Sequence, residues 1–156
     1  MMRRIHILLL IVLCCSNGCN EQSGQSNGNI HKIQNPGMDI HQVKSIEIVS
    51  EGGELGYRSR LLISADSVNY SVQVAVDATK NTQHSMKNAP EDWEAIVKEI
   101  DLPDFEKAVD GASRQPVDGI DTRVSITTNT GTITRTNAYE NKTWNYILGS
   151  AEKYDK

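Results

Sequence analysis

Val68-Asn69-Tyr70-Ser71-Val72-Gln73-Val74-Ala75-Val76 places an apolar or aromatic side chain at every second position. In an extended chain that period puts Val68, Tyr70, Val72, Val74 and Val76 on one side and polar or small residues on the other, the signature of a half-buried strand. Just upstream, Ala65-Asp66-Ser67 reads as a turn, and Tyr57 to Ser64 as the preceding strand, with Leu61 and Ile63 on one face and Leu62 on the other. Further back, Val43, Ile46, Ile48 and Val49 form another β-rich stretch. The run Glu51-Gly52-Gly53-Glu54-Leu55-Gly56 closes it, and its three glycines turn the chain into a hairpin. No Lys followed by Ser or Thr accompanies Gly52 and Gly53, so they read as turn residues rather than a phosphate loop.

Downstream the period changes. Asp77 to Ala89 is polar and reads as a connection. Pro90 then suits a first helical turn, Asn88 lies near its cap, and Glu91 and Asp92 suit its positive end. Trp93, Ile96, Val97 and Ile100 recur at helical spacing and predict a face lying on the sheet. Leu102-Pro103 breaks this element, and Asp104 to Val109 reads as a short second helix presenting Phe105 and Val109. Turn formers Gly111, Pro116, Asp118 and Gly119 follow. Arg123 to Asn129 resumes alternation with Val124 and Ile126 inward. After Thr130-Gly131, Thr132 to Asn137 returns with Ile133 and Arg135 on the same face. Asn141 to Tyr154 carries Trp144, Ile147, Leu148 and Ala151 on a helical stripe, which places both tryptophans in the core rather than on a ligand platform. The expected fold is therefore α+β, an antiparallel sheet of about five strands with one or two helices packed on one face.

Ahead of this domain the chain carries a different message. Arg3 and Arg4 precede an apolar run from Ile5 to Cys15 interrupted by His6, too short for the roughly 20 residues of a spanning helix and of the length of an export signal. The only cysteines, Cys14, Cys15 and Cys19, stand at its end. Gly18-Cys19 places a small residue before a cysteine, and with it the segment resembles a bacterial lipoprotein signal. That resemblance implies cleavage after residue 18 and lipidation of Cys19, with Cys15 as the alternative. Residues 19–42, rich in Asn, Gln, Ser and Gly, then read as a flexible polar tether with a reach of roughly 25 Å. His31 and His41 in or near it read as exposed side chains, not metal ligands. The single domain spans residues 43–156. Acyl chains, each methylene worth about 0.8 kcal/mol, would hold it on the membrane. The expected location is the outer membrane of a Gram-negative cell envelope.

Charge narrows the function. The chain has 16 Lys and Arg against 20 Asp and Glu; residues 1–18 hold two arginines and no acid, so removing them leaves 14 against 20, a net charge of −6. Such a surface argues against nucleic acid, which needs clustered Lys and Arg. Between Glu91 and Asp110 there are eight acids and two lysines, an acidic stretch read as a solvated helical face. No catalytic assembly stands out. His84 is the one histidine in the folded region, its neighbour Ser85 would face the other way on a strand, and no His, Cys and carboxylate cluster has ligand spacing. Asp118, Gly119 and Asp121 have too few alternating oxygen ligands for a calcium loop and read as a turn. The expectation is a noncatalytic protein with no metal and no cofactor, oligomeric state open.

The order of features also resembles the small emfourin-type domains. The run Glu51 to Tyr57, then Trp93-Glu94-Ala95-Ile96-Val97, then Asp101-Leu102-Pro103-Asp104-Phe105, then Pro116-Val117-Asp118-Gly119 before Val124-Ser125-Ile126 carries that likeness across Val43 to Tyr154. These domains include a proteinaceous inhibitor of thermolysin-like metalloproteinases; no inhibitory residue transfers by position. Two functions follow as expectations, with a hydrolase as the lesser alternative. The first is a membrane-tethered domain that binds an envelope protein or other macromolecule, in a structural or accessory role. The second is inhibition of a metalloproteinase.

Overall fold

In the computed structural model, residues 43–154 are described. Six antiparallel strands, β1 (Val43–Gly52), β2 (Tyr57–Ser64), β3 (Ser67–Val74), β4 (Thr82–Lys87), β5 (Ile120–Thr128) and β6 (Thr132–Thr136), form one sheet in the order β4-β3-β2-β1-β5-β6. The first four make a meander. Helices α1 (Pro90–Lys98) and α2 (Leu102–Lys107) then carry the chain back so that β5 pairs with β1, and α3 (Lys142–Ala151) follows β6.

Alternation sorts the side chains as the period demands. Ile46 stands opposite Ile63 and Ile126, and Ile48 opposite Leu61 and Val124, so apolar cross-strand pairs line one face. Against that face pack Trp93, Ile96 and Val97 of α1, Leu102 and Phe105 of α2, and Trp144, Ile147 and Ala151 of α3. Phe105 and Trp144 are wholly buried.

The sheet has one strand more than its pattern announces. The stretch expected to be a polar connection contains β4, Thr82-Gln83-His84-Ser85-Met86-Lys87, paired to β3 from Val72↔Thr82 to Ser67↔Lys87. Mostly exposed and at the sheet's edge, it is held by backbone bonds and needs no apolar alternation. β3 in turn ends at Val74. Val76 lies beyond it and is exposed, because Asp77 N–H closes a turn onto the Val74 carbonyl (3.2 Å) and Asn81 Oδ1 accepts the Val74 N–H (2.8 Å).

Helix boundaries also shift. Ala89, not Asn88, is the N-cap of α1, without a side-chain bond. Asn88 turns inward, donating to the Ser64 carbonyl (2.7 Å) and accepting from the Tyr154 hydroxyl (2.9 Å), which ties the end of β4 to the C-terminal turn. α2 starts at Leu102 because Pro103 falls in its first turn, where a missing N–H costs nothing, and Asp101 caps it through the Asp104 N–H (3.0 Å). It stops at Lys107, so Val109, expected on its apolar face, is exposed. The guanidinium of Arg135, reaching across from β6, donates to the carbonyl of Glu106 in its last turn. Gly149 sits in α3 without breaking it, and Asn141 caps that helix through the Trp144 N–H (2.8 Å).

Candidate functional site

The lipidation candidates Cys19 and Cys15, the signal segment 1–18 and the tether 19–42 lie outside the described residues. Within them, Val43, the first described residue, pairs with Thr128 at one end of the sheet. The opposite end gathers three loops. Leu55 lies in the β1–β2 turn, Val76 follows β3, and Val117 precedes β5, which Ile120 begins. Backbone bonds join these loops: Val76 N–H to the Leu55 carbonyl (3.4 Å), Ala75 N–H to that of Gly56 (3.1 Å) and Gly53 N–H to that of Gly119 (3.2 Å). Leu55, Val76 and Val117 are 54%, 65% and 82% exposed, unusual for aliphatic side chains on one end of so small a fold.

Polar staples hold the longest of these loops. The Asp121 carboxylate accepts from Ser113 Oγ (2.6 Å), Arg114 N–H (2.7 Å) and Asn137 Nδ2 (2.8 Å). These donors, the Ser113 hydroxyl foremost, hold its pKa below the usual carboxylate range. Asp121 is thus a loop fastener, with its oxygens committed to protein donors rather than free for a cation. Gly119 N–H closes the loop onto the Arg114 carbonyl (2.8 Å), where a Cβ on Gly119 would collide with Arg114.

Asn137 is the hub. Expected as the last residue of β6, it lies one past the strand at φ 51°, a left-handed conformation that asparagine tolerates. Only 3% exposed, it accepts the Thr122 N–H (2.8 Å) and donates to the Ala112 carbonyl (3.0 Å) as well as to Asp121. Beside it lies a shallow depression of about 450 Å³ lined by Val109, Asp110, Gly111, Tyr139, Glu140 and Asn141 among others. Tyr139 meets buried Trp144 edge to face (6.1 Å) and carries the Arg114 guanidinium 4.9 Å from its ring centre. Asp110 Oδ1 accepts the Thr136 N–H (2.9 Å), and Gly111 N–H bonds the Thr136 carbonyl (2.9 Å), which covers that end of β6.

The acidic stretch of residues 91–110 is partly put to structural use. Asp92 pairs with Lys153 (2.8 Å), Asp101 caps α2, and Asp104 Oδ2 accepts from Thr143 Oγ1 (2.9 Å) and Asn141 Nδ2 (2.8 Å), docking α2 on α3. The Thr143 hydroxyl is the main reason Asp104 is a stronger acid than usual.

The sheet's second face carries Glu47, Val49 and Glu51, flanked by Arg58, Arg60 and Arg123. Glu47 meets Arg60 (2.6 Å), and Glu51 meets both Arg58 (3.3 Å) and Arg123 (3.7 Å). Val49, directly opposite Arg60 and Arg123, is only 2% exposed, in keeping with long arginine stems laid over it. Hydroxyls pair across β5 and β6: Ser125 with Thr134 (3.0 Å) and Thr127 with Thr132 (3.1 Å). These hydroxyls are therefore partnered within the sheet.

His84 and Ser85 point to opposite faces of β4. His84 packs on Tyr70 (5.0 Å between rings), while the Ser85 hydroxyl donates to Asn69 (2.7 Å). Among the described residues no three His, Cys, Asp or Glu side chains are placed to hold a metal ion. None of the described helices is long and apolar enough to cross a membrane. Asn137, Tyr139, Glu140 and Asp110 did not stand out in the sequence, since a site assembled from residues 108–111 and 137–141 has no motif spacing. The one local signal was Asn137, a residue suited to left-handed backbone just where a strand ends. Comparison with family models and with curated proteins finds no match.

Proposed function

We propose that the chain is a noncatalytic, membrane-tethered domain that binds a protein of the cell envelope through the loop end of its sheet. It is exported, lipidated at Cys19 or alternatively at Cys15, and held at the outer membrane. One observation carries the reading: Val43, where the described residues begin and a tether would join, lies at one end of the ten-residue strand β1, and the exposed aliphatics Leu55, Val76 and Val117 gather at the other, about 30 Å away. A domain anchored by one end and apolar at the other is arranged to meet something beyond the lipid.

The anchor is tested by intact mass after expression in a lipoprotein-processing bacterium. The reading expects a chain beginning at Cys19 with acyl groups attached, and release of the protein by Cys19→Ala. An unlipidated chain beginning elsewhere refutes the anchor. For the binding end, a photo-crosslinker placed at Val117 is expected to capture one defined envelope protein that the same group at Gln73, on the sheet's open face, does not. Equal capture from both positions refutes it.

The second reading is inhibition of a metalloproteinase. It is favoured by the stapled loop Ser113 to Gly119, which offers Val117 on a backbone fastened at both ends. It expects the processed protein to block turnover by a thermolysin-like enzyme at stoichiometric ratio; unchanged turnover refutes it.

A further inference from the structure

We infer that the depression beside Tyr139 receives a lysine or arginine side chain of the protein partner, an inference that rests on the reading of the loop end as a protein-binding surface. The argument is charge complementarity within a concave site. Glu140 lines the depression, is exposed and forms no ion pair among the described residues. Asp110 spends Oδ1 on the Thr136 N–H, leaving its other oxygen for a second donor. Tyr139, partly exposed, lines the same depression, and its π face attracts cations. Exposed Val109 on the rim offers an aliphatic surface of the kind that a lysine or arginine stem covers while its charged head reaches the carboxylates.

Arg114 supports the assignment from within the chain. Its guanidinium already lies over the Tyr139 ring, so this ring takes a cation in the stacking geometry that the inference requires. Arg114 is not among the residues lining the depression, but its positive charge beside the ring opposes an incoming cation there. Removing that charge therefore strengthens the binding of a partner's basic side chain.

The test uses ¹⁵N-labelled, full-length processed protein in detergent micelles at low ionic strength. It is titrated with the tripeptide acetyl-Gly-Arg-Gly-amide and, separately, with the same peptide carrying norleucine in place of arginine. The arginine peptide alone is expected to give saturable shifts at the amides of Asp110, Gly111, Tyr139 and Glu140. Exposed Glu140→Gln is expected to weaken it about threefold, the scale of one screened ion pair. Arg114→Ala is expected to strengthen it, while Lys87→Ala, the same charge change on distant β4, leaves it unaltered. Absence of saturable shifts, equal shifts from the norleucine peptide, an unchanged affinity in Glu140→Gln, or equal effects of Arg114→Ala and Lys87→Ala would each overturn the inference. The Val117 crosslink reads the loop end independently, so its capture of a partner would survive a failed titration.

Discussion

Replacing Asn137 by alanine tests whether hydrogen bonds, rather than apolar burial, hold the loop end together. The substitution strands the Thr122 N–H and the Ala112 carbonyl, bonded at 2.8 and 3.0 Å in a site where Asn137 itself is almost wholly buried. The half-buried Thr122 N–H and the carbonyl of the exposed Ala112, left without these partners, together cost about 2–3 kcal/mol, and holding alanine at positive φ adds about 1 kcal/mol. The expected loss is about 3–4 kcal/mol, a large share of the roughly 5–15 kcal/mol that a domain of this kind possesses. Asn137→Asp separates the terms. It keeps the left-handed tolerance and the acceptor for Thr122, but sets an oxygen where Nδ2 met the Ala112 carbonyl and the Asp121 carboxylate (2.8 Å). Two carboxylates in that position repel, so this variant is expected to suffer most at neutral pH and to recover relative to the parent as acid protonates one of them. Urea unfolding, followed by tryptophan fluorescence at pH 7 and at mildly acid pH, reads both. A loss below about 1 kcal/mol for alanine, or a penalty for Asn137→Asp that does not change with pH, would refute the account of Asn137 as the hub.

The remaining predictions concern acid stability and the core. Asp104, Asp121 and Asp77 all have pKa values held below the ordinary value of 3.8 by hydrogen bonds to the charged form. A folded-state pKa below the unfolded one stabilises the fold above the unfolded value, and that contribution disappears as pH falls through the folded value. Thermal midpoints should therefore fall between pH 4 and pH 2, and Asp104→Asn, with no proton to gain, should show a smaller fall than the parent; an equal fall would assign the acid limb elsewhere. Phe105→Ala removes a fully buried ring from the contact of α2 with the sheet and is expected to cost about 3–5 kcal/mol by urea titration, whereas a loss under 1 kcal/mol would mean that α2 is dispensable to the core.

What the sequence made legible is what burial enforces. Val68, Leu61, Ile63, Ile46, Val124 and Ile126 had to share a face because period two leaves them no other choice, and Trp93, Ile96 and Val97 had to lie over them because period 3.6 does the same. β4 escaped because an edge strand lying largely in water has no apolar side to advertise; its partner on β3 is chosen by backbone pairing after a short return. The limit at Val109 is of another kind. Helical spacing predicted it on the face of Phe105, but Ala108 turns extended and ends the helix, so the same spacing no longer means the same side. Asp121 and Asn137 stayed hidden for a third reason: their roles depend on bonds to residues 112–114, and no periodicity encodes which acceptor meets which donor.

These differences have a common physical origin in how the sheet is covered. Toward the Val43 end, Ile46, Ile63, Val68 and Ile126 are sealed beneath the helices. Toward the loop end the same face of the sheet turns polar: Ser50 stands opposite Ser59 and Thr122, and Ser50 Oγ and Thr122 Oγ1 lie 3.1 Å apart. Apolar burial contributes about 25 cal/mol per Å² and does not depend on the geometry of a single atom, whereas a hydrogen-bonded staple is lost when one partner moves. The loop end should thus open at lower free energy than the helix-covered end, with amides of Thr122 and Arg114 exchanging faster than those of Ile46 and Ile63. That softness suits the binding surface proposed at this end, and it places adaptability at the end of the domain opposite Val43 while the sealed half preserves the fold.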